Sequence, residues 1–328
     1  MAGSPSVPTV HIRPSRGWMA LNLREMWEYR ELLYFFVWRN MKLRYRQTLL
    51  GFTWAFVNPV VNTIAFTIIF GNLAKLPSDG LPPPVFFMIG LSLWRYFAAT
   101  LGTISNSLVG SANLLTKVYF PRLLIPLNAC ITGLADYFIA LGILVALMLW
   151  FHVVPAASVV LLPVLLLLTI ATALGVGLFF AALNVRYRDV GQLVPFLTSI
   201  WMYASVIIPF SGIPARWGIW RYLYGLNPMA GLIEGCRWCF AHHVMTVGKV
   251  TDMVLQGVNI PAKIAEGQRI IVEILQDGTP QLILRTTTQT PPETPWLLIA
   301  AGLPFTIGML VFGLYYFKRV EKMFADIV

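Results

Sequence analysis

Charge is scarce in this sequence. Only 12% of its 328 residues are Asp, Glu, Lys or Arg, while 57% are hydrophobic. A soluble globular domain carries about 25% charged residues, so that class is excluded and the chain reads as a polytopic membrane protein. A net charge of +10 would suggest nucleic acid in a soluble protein, but here the cations must first be assigned to the two sides of a membrane. No nucleic-acid partner is expected. An apolar signal run is also missing at the start: residues 1–17 (MAGSPSVPTVHIRPSRG) hold prolines and polar residues and are expected to form a flexible tail.

Catalytic motifs are missing as well. Gly248-Lys249 is followed by valine and lacks the upstream glycine of a phosphate-cradling loop, so ATP hydrolysis would have to occur on another chain. Neither H-E-x-x-H, nor G-x-S-x-G, nor paired carboxylates at helical spacing occur in the apolar runs, and no catalytic residue is expected. This argues against a membrane glycosyltransferase or ligase. Cysteine is rare, with three in all. Cys236, Cys239, His242 and His243 spell C-x-x-C-x-x-H-H, a set that offers zinc ligands or a redox pair on paper. Structural zinc motifs bring ligands from two separated pairs, so the cysteines are expected to be small apolar fillers and no metal site is expected.

What the chain has in abundance is apolar runs of membrane length. Residues 50–72, 85–107, 124–151, 159–183, 190–211 and 295–317 are each near 20 residues, enough to cross about 30 Å of hydrocarbon. Before them, residues 18–46 alternate aromatic and aliphatic residues with Arg, Lys and Glu, the pattern of a helix lying in the membrane plane. A buried core helix is the alternative, but little soluble chain remains to cover one. With both ends inside, fifteen Lys and Arg fall on the inner side; of the eight outside, seven lie in one long stretch, and the short outer loops carry only Lys75. Both termini are therefore expected in the cytoplasm.

Three segments depart from a plain six-span bundle. The span pattern breaks at Asn106 to Asn128, where Lys117, Tyr119, Phe120, Pro121 and Arg122 place cations, aromatics and a proline at an elbow, expected near 113–122. A short interfacial helix there would be a handle for a soluble partner; a basic loop that only fixes orientation is the alternative. Residues 209–240 are interrupted by glycine and proline and are expected to re-enter the outer side as two half-helices, placed at 213–240. Residues 241–294 are polar, with strand-like runs at 269–275 and 281–288 around Asp277-Gly278, which reads as a small external β-hairpin insertion. The expected fold is an all-α polytopic membrane protein of six transmembrane helices with these additions. In order, its parts are a tail (1–17), an interface helix (18–46), spans 1–5 with the elbow and re-entrant helices (47–240), the insertion (241–294), and the sixth span with a cytoplasmic tail (295–328).

Aromatics gather toward the expected outer mouth. Phe86, Phe87, Trp94 and Tyr96 lie on the second span, Trp201 and Tyr203 on the fifth, and Trp217, Trp220, Tyr222, Tyr224 and Trp238 in the re-entrant region. An interfacial belt of this kind needs no ligand. The sharper reading gives a subset of the rings to a conduit wall, where flat faces let a cargo slide without fixed hydrogen bonds. Two charges sit within spans, Arg95 in the second and Asp136 in the third. Their depths match, so they are expected to meet as a pair, unless Arg95 faces the conduit and anionic groups of the cargo.

The segments 45–71, 90–127, 183–209 (LNVRYRDVGQLVPFLTSIWMYASVIIP), 226–238 (LNPMAGLIEGCRW) and 315–328 (YYFKRVEKMFADIV) together resemble the membrane subunit of bacterial ATP-binding-cassette exporters of lipid-linked polysaccharides, namely O-antigen, capsule or teichoic acid. The resemblance runs in order over roughly 270 positions. It implies a homodimer in the inner membrane, bound to two copies of a P-loop ATPase subunit that carries the ATP and Mg, and exporting a lipid-linked glycan. It also implies that the elbow, with Lys117, Tyr119, Phe120 and Arg122, docks on the ATPase. The insertion at 241–294 is longer than the family's usual link into the last span, so external partners stay open. Export of a small lipophilic molecule, or a membrane anchor or receptor acting through the insertion, are the alternatives.

Overall fold

The computed structural model describes residues 23–46, 53–111, 120–187, 189–207, 209–213, 215–244, 247–254, 268–274, 280–290 and 294–321. The tail expected at 1–17 and most of the elbow, Lys117 and Tyr119 included, lie outside the described residues. Six helical stretches are long and apolar enough to cross a membrane, at 53–73, 83–110, 124–150, 157–186, 190–207 and 296–321. The expected spans agree with them to within a few residues.

The described part opens with two helices, α1 (Leu23–Glu28) and α2 (Arg30–Arg46), in place of the single segment expected from residue 18. The first long helix, α3 (Thr53–Phe66), widens into a π-helical stretch at Thr67–Leu73. The second, α4 (Pro83–Gly110), starts on two prolines, which suit the first turn because its N–H groups have no intrahelical acceptor. Next come α5 (Leu124–Trp150), α6 (Leu162–Arg186) and α7 (Val190–Met202), the last continued by a π-helical turn at Tyr203–Ile207. A 3-10 segment at Ala215–Leu226 is broken at Gly218, whose φ of 52° suits a residue without Cβ. It leads into α8 (Pro228–Ala241), and the chain returns through α9 (Trp296–Glu321). Between α8 and α9 lie β1 (Val247–Val254), β2 (Gln268–Ile274) and β3 (Pro280–Thr290). The expected hairpin segments form β2 and β3, and β1 pairs antiparallel with the other edge of β3.

The core is built around α4. Eighteen of its 28 residues are buried, whereas α3 buries only Pro59 and Thr63, and α7 only Val190, Val194 and Thr198. In lipid there is no hydrophobic drive between helices, so close packing of small residues takes its place. α6 and α9 meet in this way: a Cβ on Gly175 would lie 2.6 Å from the Leu310 amide nitrogen, and one on Gly313 would fall on the Gly175 carbonyl. Beside this contact the hydroxyls of Thr172 and Thr306 are 3.1 Å apart. α8 buries thirteen of its fourteen residues. At about 1.5 Å per residue it is near 21 Å long, too short to cross the hydrocarbon.

Candidate functional site

At the elbow end the chain ties its own beginning, middle and end together. Phe120 is buried and meets Phe36 of α2 edge-on at 5.6 Å, in a small core with Leu124 and Ile125. Two residues further, Arg122 Nη1 donates to the carbonyl of Glu321 in the last turn of α9 at 2.7 Å, where the helix dipole and an unfilled carbonyl both favour a cation. A second junction at this end is Asn184. Its amide donates to the Ser105 carbonyl and to Asn106 Oδ1, both at 3.0 Å, while its own oxygen accepts the Gly191 N–H at 3.1 Å. One side chain thereby fixes the ends of α4, α6 and α7.

At the opposite end stands a charged cluster that reasoning from sequence missed. Arg237 of α8 is fully buried; its Nη1 donates to Glu234 Oε1 at 2.8 Å and its Nη2 to the Val206 carbonyl at 2.7 Å. The guanidinium lies 3.7 Å from the centre of the Phe86 ring. Glu234 Oε1 also accepts the Phe210 N–H at 3.1 Å. The π-helical turn at 203–207 explains where the acceptor comes from, since widening a helix frees carbonyls that other groups must satisfy. Tyr224 takes a second one, donating its hydroxyl to the Ala204 carbonyl at 3.0 Å. Nearby, in the turn before α4, Asp79 is buried and accepts the Ser211 hydroxyl. Burial pushes its carboxyl up to about 6, aided by the Glu234 charge and opposed by the Ser211 hydrogen bond and Arg237. The i,i+3 spacing of Glu234 and Arg237 was the one available sequence signal; nothing local marks Asp79.

The aromatic candidates divide by exposure. Phe86, Phe87, Trp94 and Tyr96 are all buried in the chain's own core. Phe87 packs against Phe66 and Phe70 of α3 and its π-helical extension, and Tyr96 donates to the Cys130 carbonyl at 3.2 Å. Trp201 stands edge-on to Trp94 at 6.0 Å and donates its Nε1 to Asn227 Oδ1 at 2.8 Å. That bond diverts Asn227 from capping α8, and its NH2 goes to Ser205 Oγ at 2.8 Å instead. Tyr203 is exposed and Tyr224 half-buried. At Trp220 the backbone alone is described. Arg95 and Asp136 are both half-buried, and the Asp136 charge acts on Arg95. Cys236 and Cys239 are free thiols buried in the core, and no group of three metal-ligating side chains occurs among the described residues.

Comparison with known proteins gives this arrangement a family. Residues 31–241 match the description of ABC-2 type transporters. The chain is 31% identical over 223 residues to "O-antigen export system permease protein RfbA" of Myxococcus xanthus, covering 67% of this chain and 84% of the relative. It is 25% identical over 223 residues to the protein of the same name in Klebsiella pneumoniae, with the same coverage. Over 208 residues it is 24% identical to "Polysialic acid transport protein KpsM" of Escherichia coli, covering 61% of this chain and 77% of that one. With a membrane-helix core built on α4 and a match spanning more than half its length, the chain belongs to the ABC-2 type transporter family of membrane subunits.

Proposed function

We propose that this chain is the permease of an ATP-driven exporter that moves a lipid-linked polysaccharide from the cytoplasm across a bacterial inner membrane. The observation that carries the reading is the match, over two thirds of the chain, to permeases named for O-antigen export. The sequence has no phosphate-binding loop, so hydrolysis falls to a separate P-loop ATPase, two copies of which serve a homodimer of this chain. The Lys and Arg bias supports cytoplasmic termini and a cytoplasmic elbow, with the β-sheet segment outside.

The wall of the conduit belongs to α3 and α7. Asn58 and Asn62 on α3, and Ser199 on α7, are exposed in the single chain. Polar side chains at that depth are costly against lipid, so a second copy or a watered path is their better neighbour. Tyr203 joins them, with Arg95 and Tyr224 partly accessible at the same wall and Phe86, Phe87, Trp94, Tyr96 and Trp201 supporting it; Trp220 stays a candidate for the lining. Trp27 on α1 and Tyr34, Phe35 and Trp38 on α2 are exposed, whereas Phe36 is packed against protein, as suits helices lying among lipid headgroups. At the outer mouth, the 3-10 segment and α8 act as re-entrant half-helices. Around the elbow, Lys117, Tyr119 and Arg122 form the contact with the ATPase, and Phe120, buried against Phe36, holds the elbow from behind.

Co-purification with the ATPase encoded beside it, followed by hydrolysis assays with and without lipid-linked glycan, tests the function. Stimulation by the glycan is expected; a complex that responds instead to small lipophilic molecules would replace the reading. A cysteine at position 279 should react with an impermeant thiol reagent from outside, and labelling only after lysis would reverse the topology.

A further inference from the structure

A cavity of about 670 Å³ opens between α2, α4 and α5 at the elbow end. Its long wall is cut by small residues. Ala98, Gly102, Asn106 and Gly110 recur every four residues and so share one face of α4. A Cβ added at Gly102 or Gly110 would meet nothing within 4 Å. Twelve residues of helix are about 18 Å, more than half the hydrocarbon thickness. The cavity therefore runs from the membrane surface well into the apolar layer, a shape that suits an amphiphile better than a soluble ion.

The chemistry of the lining changes along that length. Toward the surface, Arg39 is exposed, with its guanidinium 5.4 Å from the centre of the Phe36 ring. Asn128 gives its oxygen to the Thr132 hydroxyl at 3.1 Å, which leaves its NH2 to serve the cavity. Ser107 is 8% exposed, and its hydroxyl has no partner among the described residues. By contrast, Thr103 and Ser105 each donate to the carbonyl four residues back, at 2.8 and 2.7 Å. An unmade hydrogen bond at a buried hydroxyl is costly, so Ser107 holds a donor in reserve. Among the described residues, no carboxylate lines the cavity. At the deep end, Ala98, Ala99 and Ala129 offer only apolar surface.

We propose that this cavity binds a lipid of the cytoplasmic leaflet by its phosphate-bearing headgroup, with Arg39 on the phosphate, Ser107 and Asn128 as further donors, and one chain lying along Ala98 and Gly102. The bound lipid braces α2 against α4 and α5. The leaflet rests on the orientation given under Proposed function; the binding does not, because it is measured on detergent-solubilised protein.

Native mass spectrometry of the purified, delipidated full chain tests the site with phosphatidylglycerol, diacylglycerol and a polyprenyl diphosphate as separate probes. One phosphatidylglycerol per chain should survive ionisation, and Arg39→Ala should weaken it by at least about tenfold through the lost charge-assisted bond, with Arg39→Lys retaining most of the binding. Gly102→Leu, which grows into open space, should block the chain to a similar degree while leaving the elution profile and melting temperature unchanged. Competition then names the source. If polyprenyl diphosphate displaces the phospholipid, the occupant is the exporter's own cargo anchor; if it does not, the occupant is a resident phospholipid. Either result upholds a phosphate-headgroup site. Equal binding of diacylglycerol, which has the chains but no phosphate, or unchanged binding in Arg39→Ala and Gly102→Leu, overturns it.

Discussion

Arg122 and Glu321 lie 199 positions apart in the chain and are joined by one hydrogen bond of 2.7 Å, from guanidinium to backbone carbonyl. The elbow's exit is therefore anchored to the last turn of the final helix. Removing the donor with Arg122→Ala forfeits about 1.5–3 kcal/mol at this junction. Export should fall at least about tenfold while the ATPase in the complex keeps hydrolysing, and Tyr119→Ala should act the same way. Vesicle export measured beside phosphate release checks both. If the two variants export at the wild-type rate, the elbow is merely a loop that sets orientation.

Glycine substitutions on α9 separate packing from propensity. Gly313→Ala drives a methyl group into the Gly175 carbonyl, whereas a Cβ on Gly308 meets nothing within 4 Å. The first should cost about 1–3 kcal/mol or more, because backbone cannot step aside as a side chain can. The second should be neutral or slightly stabilising. Thermal unfolding in detergent reads both, and equal melting temperatures would refute the close contact.

The cluster around Asp79, Glu234 and Arg237 should make stability depend on pH. Because Asp79 is raised from 3.8 to about 6, the native state holds its proton more tightly than the unfolded chain. Its contribution is thus fully present below about pH 4 and is lost as the pH rises through about 6, a swing on the order of 3 kcal/mol. Asp79→Asn keeps an acceptor for Ser211 and tolerates the positive φ of 51° at this position, but never ionises. Melting at pH 8 should rise in this variant and the difference between pH 5 and pH 8 should shrink. A variant less stable than wild type at both values would show that the carboxylate is needed.

For Arg95 and Asp136 a charge exchange is decisive. Reversing either alone leaves two like charges within the spans, each costing roughly 2.5–3.5 kcal/mol near a helix centre. Arg95→Asp combined with Asp136→Arg should recover folding if they serve each other. Recovered folding without export would assign Arg95 to the cargo path, and failure to recover either would dissolve the pair.

Hydropathy found the spans because a 20-residue apolar run has few other uses, and it placed their ends within a few residues. It was blind to which side of each helix meets protein. Phe86 and Phe87 are as apolar as Phe196 on α7, yet the first two are buried and the last is exposed; lipid and protein interior present the same polarity to a ring. Arg237 was counted as one more outer cation, because topology rules weigh charges by segment and ignore depth. Its partner lies three residues away on one of the expected half-helices, at a spacing that puts the two on one face, but hydropathy and topology rules do not weigh such pairs. Asp79 with Ser211, 132 positions apart, had no such signal, since that contact exists only once the outer segments have folded together.

Where α6 meets α9 at Gly175 and Gly313, no side chain stands between the two backbones. An interface of long side chains yields by exchanging rotamers; two bare rods can only slide or part. These helices are therefore expected to act as a fixed pier, pinned by Thr172 and Thr306, which would leave the movement that admits a bulky cargo to α3 and α7. Both of those carry their π-helical turns at the same end of the bundle, where a wide turn can take up rotation that a regular helix would pass along its length. Spin labels on α6 and α9 should then hold one separation through the nucleotide cycle, while a pair placed on α3 and α7 should report two.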